Sequence, residues 1–293
     1  HMMRLKKCLS AMILAVILAW QPVQACTLWA AAGTASSGGG TLLVKNRDRI
    51  PDHQQALHLM VPKKGYAYFG LYEVRGDRMG LKAGINEKGL TVVGATASSI
   101  PKRERQNMVY THRLYEKLLS RCGTVEEALK QKDLLLGPQF ILLADRTEIA
   151  EVEIGPGGVT DVRKTKNGAL HHTNHYQLPS MTFMNRSEGE SSVIRNQRIG
   201  ELLAKTPQPY TLQQFLQFSR DQHDGPENSI FRTGMGKGTE RTMAEWAVRI
   251  PPQGAPEIYI KMLNPGQTPQ VKIYQAGPSF FQKENNISEE EEK

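Results

Sequence analysis

The stretch Thr34-Ala35-Ser36-Ser37-Gly38-Gly39-Gly40 is made of small residues and ends in three glycines, a composition that reverses the chain and that no helix or strand interior sustains. Apolar runs flank it, Cys26 to Gly33 and Thr41 to Arg47, so the segment predicts a β-hairpin. Further short strands are predicted at Ala56 to Val61, Ala67 to Leu71 and Leu90 to Val93, the last entered through a turn at Gly84 to Gly89. Helical spacing then takes over. Tyr110, Leu114, Leu118 and Arg121 form one stripe over Asn107 to Cys122, and Thr124 to Gln131 follows with a Thr124/Glu127 capping box behind Gly123, a natural C′ residue. Extended segments return at Gln139 to Ala144, Ile149 to Ile154 and Ala169 to Thr173. Helices are predicted at Ser192 to Leu203 and Leu212 to Gln222, and a hairpin of Met243 to Ile250 with Glu257 to Leu263 ends the pattern. Strands and helices come in separate groups, which predicts an α+β fold of layered sheets with helices outside. No linker or repeat divides the chain. One domain is expected over residues 26–283, with an acidic tail at 284–293.

His1 and Met2 precede a start-like Met3 and read as a cloning remnant. Arg4, Lys6 and Lys7, the uncharged apolar run Cys8 to Trp20, Pro22 and then Val23-Gln24-Ala25 have the layout of a secretory signal. Residues 1–25 are therefore expected to be removed by a signal peptidase, placing the mature protein in the periplasm or outside the cell. Nothing later approaches the ~20 apolar residues of a spanning helix, so the mature form is not expected to cross a membrane. The formal charge of +8 includes those three leader cations; the rest is mildly basic, with Lys and Arg scattered among acids and few aromatics, which does not favour a nucleic-acid partner. Oligomeric state is open, a homo-oligomer included.

With Cys8 in the leader, Cys26 and Cys122 remain, and both are expected to be unpaired, Cys122 as a small buried hydrophobe at a helix end. Cys26 follows the cleavage point. It has three readings: a lipidation site, an exposed N-terminal nucleophile, or an incidental residue. Geometry favours the second. If the hairpin turn spans Thr34 to Gly40, Cys26 and Asp48 are equidistant from residue 37 and face each other at the ~5 Å of cross-strand partners. A free α-amine titrates near ~7.7–8.0, so it can take the thiol proton while a neighbouring carboxylate orients it.

The ordered segments Cys26-Thr27-Leu28-Trp29, Lys45-Asn46-Arg47-Asp48, Gly84-Ile85-Asn86-Glu87-Lys88-Gly89-Leu90, His172-Thr173-Asn174-His175 and Ser191-Ser192-Val193-Ile194-Arg195 resemble the choloylglycine hydrolase and acyl-coenzyme A:6-aminopenicillanic acid acyltransferase superfamily of N-terminal-nucleophile (Ntn) hydrolases. The Asn228-Ser229-Ile230 and Thr242 region extends the likeness. The resemblance implies a four-layer αββα sandwich, a small-molecule N-acyl amide substrate, and hydrolysis or acyl transfer at a linear non-peptide C–N bond, with no metal or organic cofactor. It assigns Cys26 as nucleophile, Asp48 as the acid that holds it, Asn174 as an oxyanion donor and Arg195 as an arginine near the nucleophile. Several relatives have Arg where this chain has Lys45, a flexible point charge in place of a planar fork, which bears on how a substrate carboxylate is bound. A dipeptidase of a related cysteine group and a lipid-anchored periplasmic binding protein are the alternatives.

Helical spacing from Ser192 sets Arg195 on the stripe of Ile199 and Leu202, an apolar face on which a charge needs a partner, whereas Arg198 falls off it towards solvent. Asn174 also suits a turn after a strand, and Thr96 is the next candidate oxyanion donor. His171 and His172 are adjacent in a strand and point to opposite faces, which with the lone His175 gives no metal-ligand set. Gly234-Met235-Gly236-Lys237-Gly238 lacks the strand–loop–helix context of a phosphate loop.

Overall fold

The computed structural model describes residues 25–282 and 287–288. The expected signal segment, apart from Ala25, and the acidic tail, apart from Ile287 and Ser288, lie outside the described residues. In chain order come β1 (Ala25–Ala32), β2 (Thr41–Arg49), β3 (Gln54–Val61), β4 (Tyr68–Arg75), β5 (Arg78–Asn86) and β6 (Thr91–Thr96). Helices α1 (Lys102–Arg105), α2 (Leu114–Arg121) and α3 (Val125–Leu129) follow, then β7 (Gln139–Ala144), β8 (Ile149–Ile154), β9 (Thr160–Thr165) and β10 (Gly168–His172). Helices α4 (Glu190–Lys205), α5 (Leu212–Ser219) and α6 (Gly225–Asn228) lead to β11 (Arg241–Ile250), β12 (Glu257–Met262), β13 (Gln270–Gln275) and β14 (Ile287–Ser288).

The strands form two sheets, β10-β1-β2-β11-β12-β13 and β14-β3-β4-β5-β6-β7-β8-β9. All neighbours are antiparallel except β14 beside β3. Alternation along β1 divides its side chains between two cores. Cys26, Leu28, Ala30 and Ala32 point at the second sheet and pack with Val93, Phe140 and Leu142, whereas Trp29 and Ala31 point at α4 and α5 and pack with Ile199 and Phe215. A strand buried on both faces carries no polar alternation, which is why this segment reads as one apolar run. On the far side of the second sheet, Val92, Ile141 and Leu143 pack under Leu118, Leu119 and Val125 of α2 and α3. The layers are therefore helix, sheet, sheet, helix, the αββα sandwich that the resemblance implies.

The opening hairpin forms, with a register one residue away from the expected one. Gly33 joins the loop: it starts a short 3-10 turn, and its N–H donates to Gly40 O at 2.9 Å, closing the ladder at Ala32 opposite Thr41. The longer loop moves its midpoint by half a residue, so Cys26 pairs with Arg47 and Ala25 pairs with Asp48. Asp48 thus sits on the opposite face of the hairpin from the Cys26 thiol. The glycines are needed; Gly40 has φ +69° and a Cβ there would lie 2.1 Å from Ile250 O.

Other differences have local causes. The expected helix Asn107 to Cys122 starts only at Leu114, because Tyr110 Oη and Thr111 Oγ1 donate to Pro138 O and Leu134 O and Arg113 turns left-handed at φ 54°. Thr124 Oγ1 accepts from Glu127 N, but the Glu127 carboxylate accepts from Gly123 N, so the box closes one residue early. Cys122 is the extended C-cap of α2, and Gly123 is not among the left-handed glycines. β5, β9 and β13 escaped the pattern: β9 is polar and at most half-buried, β13 is largely exposed, and β5 contains a bulge. Cys26 and Cys122 are both free and buried.

Candidate active site

The corrected register sorts the β1–β2 hairpin into two environments. On the face towards the second sheet, Cys26 opens with Lys45, Arg47, Lys82, Thr96 and Tyr115 onto a cavity of about 220 Å³. Lys45 is buried, and its Nζ donates to Lys82 O at 3.0 Å and Gly94 O at 2.8 Å, tying β2 to β5 and β6. Burial pushes its ammonium down to about 8, opposed by Cys26. Arg47 donates to Gln55 Oε1 at 2.9 Å and Glu73 Oε1 at 2.6 Å; burial lowers its guanidinium to about 10, against the pull of Glu73. Burial also pushes the Tyr115 phenol well above its ordinary range.

On the face towards α4, the backbone of Cys26 is held from behind. Its N–H donates to Asn174 Oδ1 at 2.9 Å, and its carbonyl accepts from Arg195 Nη1 at 2.7 Å. Arg195 further donates to Thr27 Oγ1, Asn174 Oδ1 and Ser191 Oγ, so its fork locks β1 to the segment after β10. The expectation for α4 holds for Arg195 and Ile199, which lie on its buried face with Ser192 and Leu203, whereas Leu202 is only half-buried at the edge of that face. Burial lowers Arg195 to about 10, with Asp48 as the chief opposing charge. Arg198 is not simply solvated; it makes a two-point pair with Asp221 at 2.9 and 2.8 Å.

Asp48 is wholly buried. Its Oδ1 accepts from Thr242 Oγ1 at 2.7 Å, while Oδ2 has no hydrogen-bond partner among the described residues and lies 3.9 Å from Arg232 Nη1. Burial raises its pKa, opposed by Arg232 and Arg195. Arg232 in turn donates to Glu240 at 2.9 Å, and Glu240 is pushed up to about 7 by burial. Asn174 is fully buried, and its Nδ2 donates to Thr96 O at 2.9 Å. That is a packed position, not the loose turn that its flanking residues also suit.

The structure therefore brings Cys26, Asn174 and Arg195 into direct contact, sets Lys45 and Thr96 on the cavity, and puts Asp48 opposite Ala25. Reasoning from sequence missed Arg47, Lys82, Arg232 and Glu240. Arg47 was within reach, since the true register makes it the partner of Cys26; Lys82, Arg232 and Glu240 arrive through long-range packing and leave no local signal. The histidines take separate partners: His172 Nε2 meets Glu153 at 2.6 Å, His171 Nδ1 meets Asn196 at 2.7 Å on the other face, and His175 Nδ1 meets Ser192 Oγ at 2.7 Å. Among the described residues, no group of three or more His, Cys, Asp or Glu is placed to hold a metal ion, and no helix is long and apolar enough to cross a membrane.

The family model for acyl-coenzyme A:6-aminopenicillanic acid acyl-transferase matches residues 35–265. Among solved structures, the N-acylethanolamine-hydrolyzing acid amidase ortholog of Caenorhabditis elegans superposes with a TM-score of 0.52 at 13% identity, covering 78% of this chain and 94% of that one. A mutant of the conjugated bile acid hydrolase from Clostridium perfringens gives 0.45 at 14% identity, over 86% of this chain and 97% of that one. No curated protein sequence is matched.

Proposed function

The chain belongs to the acyl-coenzyme A:6-aminopenicillanic acid acyl-transferase family, and from that premise we propose that it is an enzyme that cleaves a linear, non-peptide amide C–N bond with Cys26 as an N-terminal nucleophile. One observation carries the reading: the orphaned, buried Oδ2 of Asp48 belongs to the residue directly across the ladder from Ala25. Removal of residues 1–25 on export to the periplasm or beyond turns the Cys26 amide into an α-amine. This amine lies one residue along from a carboxylate oxygen that lacks a donor, and a buried polar atom in that state costs about 1–3 kcal/mol until it is satisfied. Maturation supplies the donor.

In the mature enzyme the α-amine takes the Cys26 thiol proton, and Asp48 orients it. The sulfur attacks the amide carbonyl from the cavity side. Asn174 Nδ2, which reaches Thr96 O at the cavity edge, and a backbone N–H receive the oxyanion. The amine leaves with the proton and a thioester remains on Cys26. Water resolves it in hydrolysis, and a second amine resolves it in transfer. Arg195 acts by positioning, through the Cys26 carbonyl and Asn174.

The test is the N-terminus together with turnover. Protein recovered from its native compartment is expected to begin at unmodified Cys26, and on a panel of acyl amides to accumulate an acyl adduct on that residue, visible by intact mass. Cys26→Ala is expected to abolish turnover with little change in Tm, since only one sulfur atom is lost. A diacylglyceryl Cys26, or full activity in Cys26→Ala, would sink the reading.

A further inference from the structure

The cavity at Cys26 is more cationic than thiol chemistry requires. Lys45, Arg47, Arg49, Lys82 and Arg105 all line it. Glu73 is the one carboxylate among the described residues that pairs with any of them, at 2.6 Å from Arg47 and 3.6 Å from Arg49. Lys45 is committed to two backbone carbonyls, and Arg105 donates through Nε to Ile100 O. Lys82 is not within ion-pair distance of any carboxylate among the described residues, and Glu73, already paired with Arg47, is its chief opposing charge from farther away.

Lys82 stands at an irregularity of the sheet. Between β4 and β5, Leu71 pairs with Ala83 and Tyr72 with Leu81, so Lys82 is the extra residue of a β-bulge. Leu81 packs in the outer core under α2, yet Ala83, two residues on, packs between the sheets. Lys82 alternates with Leu81 and shares the inner face with Gly80, and the bulge lets Ala83 face inward beside it, so the two successive residues Lys82 and Ala83 both lie on the inner side. A half-buried ammonium beside four other cations is costly as it stands, because buried charges need counter-charges. A bound anion offsets that cost. Size narrows the choice: about 220 Å³ lies below the ~300–1,000 Å³ of sites for drug-sized ligands, so the guest is short.

We propose that the cavity selects a short amide bearing a carboxylate near its scissile bond, with Lys82, flanked by Arg49 and Arg105, taking up the carboxylate while the carbonyl carbon lies at Cys26. This rests on Cys26 as nucleophile for the direction of the carbonyl, but not for the anion site itself. The carboxylate belongs either to the acyl half or to the amine half, and paired probes separate the two. Processed Cys26→Ala protein, which binds without turning over, is titrated calorimetrically with N-acetylglycine against N-acetylglycinamide, and with N-methylsuccinamic acid against N-methylbutanamide.

In one pair the carboxylate is expected to bind about 10–100-fold more tightly than its neutral twin, as a charge-assisted contact provides, and less so in high salt. Lys82→Met in the same background is expected to cut that preference about tenfold, and Lys82→Arg to keep most of it. Equal binding within both pairs, no binding of either carboxylate, or a preference untouched by Lys82→Met overturns the anion site. Turnover of the same probes by the enzyme with Cys26 intact decides the other question: selective binding without turnover leaves the anion site standing and removes the nucleophile.

Discussion

On the outer face of the β1–β2 hairpin, Asp48 and Glu240 stand with Arg195 and Arg232, two acids with two bases, all buried beneath the helices. On the inner face, one to two residues away along the same strands, five cations surround a cavity served by a single acid, Glu73. The outer group matches two acids to two bases: Arg195 ends on the Cys26 carbonyl, Thr27, Asn174 and Ser191, and Arg232 ends on Glu240, while Asp48 Oδ2, Glu240 Oε1 and Arg232 Nε keep no hydrogen-bond partner among the described residues. The inner group is open, with charge facing space. Cys26 belongs to both, its backbone gripped from outside and its thiol presented inside. The thickness of one strand thus separates the contacts that hold the Cys26 backbone from the cavity that its thiol faces, and a one-residue register decides which side chain falls on which side.

If that division is right, breaking the outer face should cost stability first and activity as a consequence. Arg195→Ala is expected to have the largest effect on Tm, because it removes four hydrogen bonds and leaves the buried Asp48 with less compensation. Taking away one partner of a buried charge group costs about 3–5 kcal/mol. Arg195→Lys should recover little of this, since an ammonium cannot span Cys26 O, Thr27 Oγ1 and Asn174 Oδ1 together. A thermal melt unchanged by Arg195→Ala would show that the outer face is not the clamp.

Asn174→Ala sharpens the same comparison, because Asn174 reaches both faces. It accepts from Cys26 N and Arg195 on the outer side and donates to Thr96 O at the cavity edge. Its loss is expected to lower kcat by roughly 10²–10³, the usual cost of one oxyanion donor. Sequence alone argues for little change in Tm, as suits an oxyanion donor. Full burial revises that: the Cys26 N–H loses its acceptor, and stability should fall by about 1–3 kcal/mol as well. Turnover per folded molecule, measured beside the melt, separates the two effects; if turnover is unchanged, Asn174 is only structural.

What sequence reveals here follows the range of the physics. The glycine turn, the segregated strands and helices and the apolar stripe holding Arg195 are local patterns, and each predicts its element and hence the layers. Strands β7 and β8 are long enough in pattern and buried enough to be read to the residue. The hairpin register was not legible, because whether Gly33 ends β1 or opens the loop depends on a hydrogen bond to Gly40 that composition does not encode. Of the cavity's cations only Lys45 was legible: Lys82 comes from β5, beside its bulge with β4, and Arg105 from the end of α1, both by long-range packing. Counting outward from the turn sets Asp48 opposite Cys26, whereas the ladder pairs it with Ala25, one residue along.

The smallest expected effect tests how well the outer face is neutralised. Glu240 titrates near 7 in the folded protein, held up by burial and by Asp48 against the pull of Arg232, compared with an ordinary 4.5 once unfolded. The folded state therefore binds the Glu240 proton more tightly, so its contribution to stability is complete below about pH 4.5 and is lost as pH rises through about 7. Between pH 6 and pH 8, wild type should lose roughly 1 kcal/mol from this group, read as a fall in denaturation midpoint across that window. Glu240→Gln cannot ionise and should show a flatter profile over the same range. Parallel profiles for wild type and Glu240→Gln would mean that Glu240 is already ionised at pH 6, that the two acids and two bases carry full charge, and that the outer face is held by ion pairs throughout.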